Sequence, residues 1–330
     1  MKATSAKGNL SRLICLGGAL VWVCLGATAL SAEQQSAAAN APAPTPVSTA
    51  GAKAFDSPQQ AADALVNAAE KFDEIALIQI FGPDGDDVVL TGEYAQDRRH
   101  ATDFAAEARE KKSISQDKSG TRAFLLVGNE DWPFPVPLVK RGAKWFFDAK
   151  AGEQELLYRR IGSNELDAIQ ICRGYVDAQY DYAYKYRDEY SVNEYAQRIV
   201  STPGKKDGLA WQNADGTWEG PIGEKVALAI QQGYSSGEPY HGYFFKVLKG
   251  QGPAAPLGEM NFVVQGIMIG GFALVAAPAE YRVTGVRTFI VSDDGVVYEK
   301  DLGPNTLDEF KKMELFNPDK SWNPVFDDED

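Results

Sequence analysis

The chain has 330 residues, 44% hydrophobic and 24% charged, which is ordinary globular composition with room for about two domains. It carries 33 basic against 46 acidic residues, a formal net charge of −13. Such a charge repels phosphate backbones and anionic lipid faces, so nucleic acid is not an expected partner.

Lys2, Lys7 and Arg12 form a basic lead to a nearly uncharged apolar run, Leu13 to Leu30, and the small residues of "ATALSA" follow. This pattern predicts a secretory signal peptide over residues 1–32, cleaved after Ala32 or, failing that, Ala29. Cys15 and Cys24 lie inside it, preceded by Ile14 and Val23 rather than by the small residue that lipid attachment wants. Because residues 1–32 hold three basic and no acidic residue, cleavage leaves 30 against 46, or −16. Cys172 is then the one remaining cysteine, which excludes an internal disulfide and a C-x-x-C-H haem site. The expected location is the periplasm, with no transmembrane anchor after cleavage and with a secreted or surface-associated state as the alternative.

Residues 33–54, rich in Ala, Pro, Ser and Thr, read as a disordered linker. Order begins at "FDSPQQAADALVNAAEKFDEIALIQIFGP", where Ser57 is placed to cap, Pro58 takes the first helical position and Gln60 follows three residues after the cap. Ala62, Leu65, Val66 and Ala69 then share a face, and a second short helix carries Ile75, Ile78 and Phe81 before Gly82-Pro83. Strands are expected over Ala123–Val127, Val136–Lys140 and Lys144–Asp148, the last two joined at Arg141-Gly142-Ala143. A long helix capped by Asn164 should present Leu166, Ile169, Cys172, Val176, Tyr180 and Ala183 as its apolar stripe. Tyr175, Tyr182 and Tyr186 sit on a neighbouring face, packed under a second layer with hydroxyls at the rim. Beyond a short helix, Glu224–Gln232, strands are expected over Tyr243–Leu248, Asn261–Val264, Phe272–Ala276, Thr288–Val291 and Val296–Lys300. The apolar block Phe262 to Ala277 is shorter than the roughly 18–20 residues that span a bilayer. The whole reads as α+β, in two domains over residues 55–160 and 161–330, each a helix or helix pair packed on a curved antiparallel sheet.

Chemical signals are few. "GYSSG", Gly233 to Gly237, matches G-x-S-x-G, but a nucleophile elbow needs a strand before the serine and a helix after it, and here that order is reversed. His241 is too near to serve as its base, and the other histidine, His100, lies in a charged segment beside Arg98 and Arg99. His241 therefore reads as the start of a strand. Asp84, Asp86 and Asp87 in "GPDGDD", like Asp293 and Asp294 in "SDDG", could offer oxygen ligands to calcium. Neither stretch has the ligand count or glutamate spacing of a dedicated loop, and turns require the same residues. No zinc spacing and no nucleotide-binding glycine motif is present, so no cofactor is expected. A lone Cys172 on an apolar helix face reads as a small core residue rather than a nucleophile.

The remaining signal is aromatic. In "DWPFPVPLVK", Trp132 and Phe134 stand between prolines, which stiffen an edge and remove donors. They form either a contact ledge or a cover for the sheet end. With Trp145, Tyr240 and Tyr243 they make the candidate set for ligand or partner contact.

Several stretches resemble a family of exported bacterial proteins of unknown function, DUF2950: "FDSPQQAADALV", "EDWPFPVPLVKRGAKWFFD", "IGSNELDAIQICRGYVDAQYDYA", "PYHGYFFKVLKGQGPAAP", "GGFALVAAPAEY" and "GVVYEKDLGPNT". The resemblance spans nearly all of residues 55–325 and implies export and architecture, without a mechanism. The first half is also similar to NTF2-like and cystatin-related domains, and the second to pseudopilin globular domains. A pseudopilin joins its assembly helix directly to the amphipathic one; here a whole domain precedes it, so only the fold carries over. The expected function is a non-catalytic exported binding or interaction module, its partner an envelope protein or small ligand. The alternatives are a small-ligand-binding or hydrolytic enzyme using the concave face of the first domain, and a filament- or surface-associated subunit.

Overall fold

A computed structural model describes residues 51–85, 88, 94–185, 194–224, 226, 227 and 239–326. The first helix, α1 (Pro58–Lys71), starts as its capping sequence dictates: Ser57 Oγ accepts from the Gln60 amide at 3.1 Å and Gln60 Oε1 accepts from the Asp56 amide at 2.8 Å. Asp73 caps α2 (Glu74–Phe81) in the same way, through the Ala76 amide at 3.0 Å. A third helix, α3 (Tyr94–Glu110), covers the segment read as merely charged. Its buried residues are Asp97, Ala105 and Ala108, so its inward stripe is mostly alanine and leaves little hydrophobic period in the sequence.

These helices cover one face of an antiparallel sheet. Strands β1 (Lys112–Gln116), β2 (Arg122–Val127), β4 (Leu138–Arg141) and β5 (Lys144–Phe147) lie in the order β1-β2-β4-β5, and the short β3 (Trp132–Pro133) also pairs with β2. Alternation sorts the side chains of β2: Ala123, Leu125 and Val127 join the buried cluster with Leu65, Val66 and Ile80, while Arg122 and Phe124 project from the other face. Arg141 pairs with Lys144, so the expected β4–β5 hairpin turns through Gly142-Ala143.

The chain then enters α4 (Ala149–Lys185), which is longer than the sequence suggested. Asp148 holds its start, accepting from the Ala151 amide at 3.2 Å. Asn164 is therefore not a cap: it lies in mid-helix, where its Nδ2 donates to the Thr284 carbonyl at 2.8 Å. Position 160/161, read as a domain boundary, falls inside this continuous helix. The buried stripe is also rotated from the expected one. Ile169, Cys172, Val176 and Ala183 are buried as expected, but Leu166 and Tyr180 are 54% and 47% exposed, and Ala168, Tyr175, Gln179 and Tyr182 widen the inward face on the other side. Tyr175 donates to the Ala273 carbonyl at 3.3 Å, and Gln179 ties Tyr175 to both the amide and the carbonyl of Ala196. Burial pushes the Tyr175 hydroxyl well above the usual tyrosine range, so it stays a neutral donor.

That stripe packs on a second antiparallel sheet, with β9 (Tyr243–Leu248), β14 (Ala273–Pro278), β15 (Arg287–Ser292), β16 (Val297–Asp301) and β17 (Asn323–Pro324) in the order β17-β16-β15-β14-β9. Between these come β6 (Arg198–Val200), β7 (Gly208–Gln212) and β8 (Trp218–Glu219), which form their own sheet. Two small ladders, β10 (Gly250–Gln251) with β11 (Met260–Asn261) and β12 (Val263–Val264) with β13 (Ile267–Met268), complete the strands. Strand β17 and the helix α5 (Thr306–Lys312), which the sequence reading did not anticipate, follow the strand expected to be last. The apolar clusters are separate: one runs from Phe55 to Ala149, the other from Ala168 to Trp322. No helix among the described residues is long and apolar enough to cross a membrane.

Candidate functional site

The outward face of β2 meets the first turns of α4 across an open cleft of about 320 Å3. Arg122 and Phe124 line it from the strand, Ala151, Glu155 and Arg159 from the helix, and Pro133, Phe134, Pro135 and Pro137 from the intervening segment. Local chemistry places each wall. The β2–β3 hairpin turns through Asp131, in a left-handed conformation at φ 54, whose carboxylate is 2.9 Å from Lys111 Nζ. Pro133, Pro135 and Pro137 then stiffen the 133–137 segment and bring no amide donors, and the Phe134 amide is spent on the Leu125 carbonyl at 2.8 Å. Helix α4 approaches that segment closely because residue 152 is glycine: a Cβ there would stand 2.6 Å from Val136 Cγ2.

Arg159 is the most constrained side chain of the cleft. Its Nε donates to Glu155 Oε1 at 2.8 Å and its Nη2 to the Pro133 carbonyl at 2.9 Å. The guanidinium carbon lies 4.7 Å from the Trp132 ring centroid, within cation–π range. The remaining nitrogen, Nη1, is buried with no hydrogen-bond partner among the described residues. Leaving such a donor unsatisfied costs about 1–3 kcal/mol. The Arg122 side chain is exposed and hydrogen-bonds to no described residue. Nearby Asp117 is occupied with Ser119 Oγ and the backbone amides of Arg122 and Thr121, which hold its carboxyl below the usual range.

The five aromatic candidates do not form one surface. Phe134 borders the cleft, but its ring packs into the first core against Phe81, Phe104 and Phe147 at 6.3, 5.1 and 6.2 Å, while Trp132 lies under Arg159. Trp145 is only 4% exposed and belongs to the first core, with Lys140 Nζ 5.9 Å from its ring centroid. Tyr243 is 1% exposed in the second core, where its hydroxyl donates to the Arg287 carbonyl at 2.8 Å. Tyr240 is half-buried at the start of β9, and its hydroxyl is raised by burial and by Asp167.

His241 and Gly242 both have positive φ, 48 and 75, and Tyr240 and Tyr243 exchange backbone hydrogen bonds of 3.0 Å across them. That is the hairpin turn whose twist suits the flanking strand. His241 Nδ1 lies 2.6 Å from Asp167 Oδ2 on α4, so the histidine anchors a turn to the helix as the chain enters β9. Gly242 is required twice over, by its φ and by Asn164, whose Nδ2 would stand 2.5 Å from an added Cβ. The Gly233–Gly237 stretch lies outside the described residues, as do Asp86 and Asp87 of the possible calcium ligands. Asp84 is in a short 3-10 turn, Pro83–Gly85. Asp294 Oδ1 accepts from the Val296 amide and the Ser292 hydroxyl, a turn role. Among the described residues, no group of three or more His, Cys, Asp or Glu side chains could hold a metal ion. Burial pushes the Cys172 thiol up to about 12, which leaves it without thiolate character at neutral pH.

Arg122, Glu155 and Arg159 were not singled out from the sequence. The i,i+4 spacing of Glu155 and Arg159 reads as an ordinary helix ion pair. Its meeting with Trp132 depends on a contact between residues 27 positions apart, which no local pattern encodes.

No curated protein and no solved structure gives a significant match to the chain. The family described as "Protein of unknown function (DUF2950)" matches residues 52–325. The chain belongs to the DUF2950 family.

Proposed function

We propose that the chain is a non-catalytic binding module exported to the cell envelope, and that its contact surface is the mouth of the cleft between β2 and α4. The observation that carries this reading is the Arg159 guanidinium: it is stacked on Trp132, fixed by Glu155 and Pro133, and left with a buried, unpartnered Nη1. Aromatic and arginine side chains dominate the energy of many interfaces because they bury large area while losing little conformational freedom. The export half of the proposal rests on the signal-like pattern of residues 1–32, and N-terminal sequencing of the envelope protein should begin at Glu33.

Crosslinking in intact cells tests the binding half. A discrete crosslinked species should form with the wild type and be lost with Trp132→Ala. Recovery of monomer alone across several crosslinker lengths, or a species indifferent to Trp132→Ala, would overturn it.

A further inference from the structure

We propose that this cleft takes a small organic carboxylate, a single negative charge on an apolar body, an inference that rests on the cleft being the contact surface. Its polar side chains are two guanidiniums and one carboxylate, Arg122, Arg159 and Glu155, a local charge of plus one. Glu155 is already engaged by Arg159 Nε and the nearby Asp117 by Ser119 and backbone amides, so an incoming anion finds the Arg122 side chain without an ion pair among the described residues. A planar guanidinium fork matches a carboxylate in two parallel hydrogen bonds, and Arg122 is the side chain with its fork unengaged; Arg159, fixed by Glu155, Pro133 and Trp132, adds a second positive charge at the wall.

One net positive charge suits a monoanion. A dianionic phosphate would leave a charge uncompensated beside Glu155. The net charge of the whole chain, −13, does not reverse this preference. Charges farther than about 8 Å are largely screened at physiological ionic strength, so the groups lining the cleft decide. The rest of the lining is apolar, with Phe124, three prolines and the edge of Phe134, whose ring packs into the first core. A volume of about 320 Å3 accommodates a body of one ring rather than an extended chain, at the small end of the ~300–1,000 Å3 usual for ligand sites.

The test is a titration of the purified protein with 3-phenylpropanoate, followed through the arginine side-chain Nε–H resonances and by calorimetry. Saturable binding should shift the resonances of Arg122 and Arg159. The neutral 3-phenylpropanamide should bind at least about tenfold more weakly, since one charge-assisted pair accounts for about a factor of ten. Arg122→Gln should weaken the carboxylate by a similar factor while leaving the urea midpoint unchanged. Equal affinity for the amide, preference for inorganic phosphate, indifference to Arg122→Gln, or no binding up to the solubility limit would each overturn the proposal. Failure here with a crosslinked partner that still depends on Trp132 would reject the ligand class and leave the binding module standing. Loss of both would reject the cleft as a contact surface.

Discussion

From Ala168 to Ala183, helix α4 buries a side chain at almost every step of three or four residues, whereas between Lys150 and Arg160 it buries only Gly152. Both stretches belong to one continuous helix. They differ in what faces them. The later stretch meets β14, β15 and Phe272, and its polar groups are used up internally: Tyr175 and Gln179 close their hydrogen bonds on Ala273 and Ala196. The earlier stretch faces a proline-rich segment that offers few donors, and its arginine keeps a nitrogen without a partner. A fully satisfied polar network rigidifies a core, and an unsatisfied group beside a cleft calls for an explanation.

Substitutions along the helix should separate these roles. Tyr175→Ala removes a ring that is 4% exposed and packed edge-on against Phe272, and should cost about 3–5 kcal/mol in urea unfolding. Gln179→Ala keeps the packing largely intact but leaves the amide and carbonyl of Ala196 unpaired, a loss of about 1–3 kcal/mol by the same measurement. In the earlier stretch, Arg159→Gln breaks a partly exposed ion pair and should change stability by less than about 1 kcal/mol, even as it weakens carboxylate binding. A cost near that of Tyr175→Ala would place Arg159 with the core.

The smallest effect concerns pH. Burial, seconded by Asp294, raises the Asp293 carboxyl, at the end of β15 near Tyr180. A carboxyl whose folded pKa is raised favours the folded state while protonated, and that contribution is lost as pH rises through the folded value. Asp293→Asn should therefore match the wild type below the ordinary aspartate value of 3.8 and become the more stable of the two as pH rises above it. Denaturation midpoints of both proteins across that range check the sign.

Much of this fold was legible in the sequence where local chemistry decides it. Ser57-Pro58 and Gln60 mark the start of α1, and the alternation in β2 and the glycine turn before β5 set the first sheet. What escaped depends on tertiary context. Helix α3 hides its inward face in Ala105 and Ala108, and α4 begins 15 residues before the Asn164 that resembles a cap. Tyr180 and Tyr175 are both plausible core residues by spacing, and both rings meet Phe272 edge-on; Tyr175 is the buried one because its hydroxyl reaches the Ala273 carbonyl inside the core, whereas Tyr180 ends on the Asp293 carbonyl at the surface. The site was half visible: Trp132 and Phe134 stood out for their prolines, but Arg122 and Arg159 look like any exposed cations until β2 and α4 are set opposite each other.

The most direct test of the contact surface is the stability of Trp132→Ala. Its backbone pairs with Val127 at the end of β2 and its ring lies under Arg159, a position that suits a support of the sheet as well as a contact. If the ring is there for contact, urea unfolding should show a loss below about 2 kcal/mol, because the residue is only half-buried. A loss of about 3–5 kcal/mol, the scale of a core aromatic, would make Trp132 a structural cover and contradict the account.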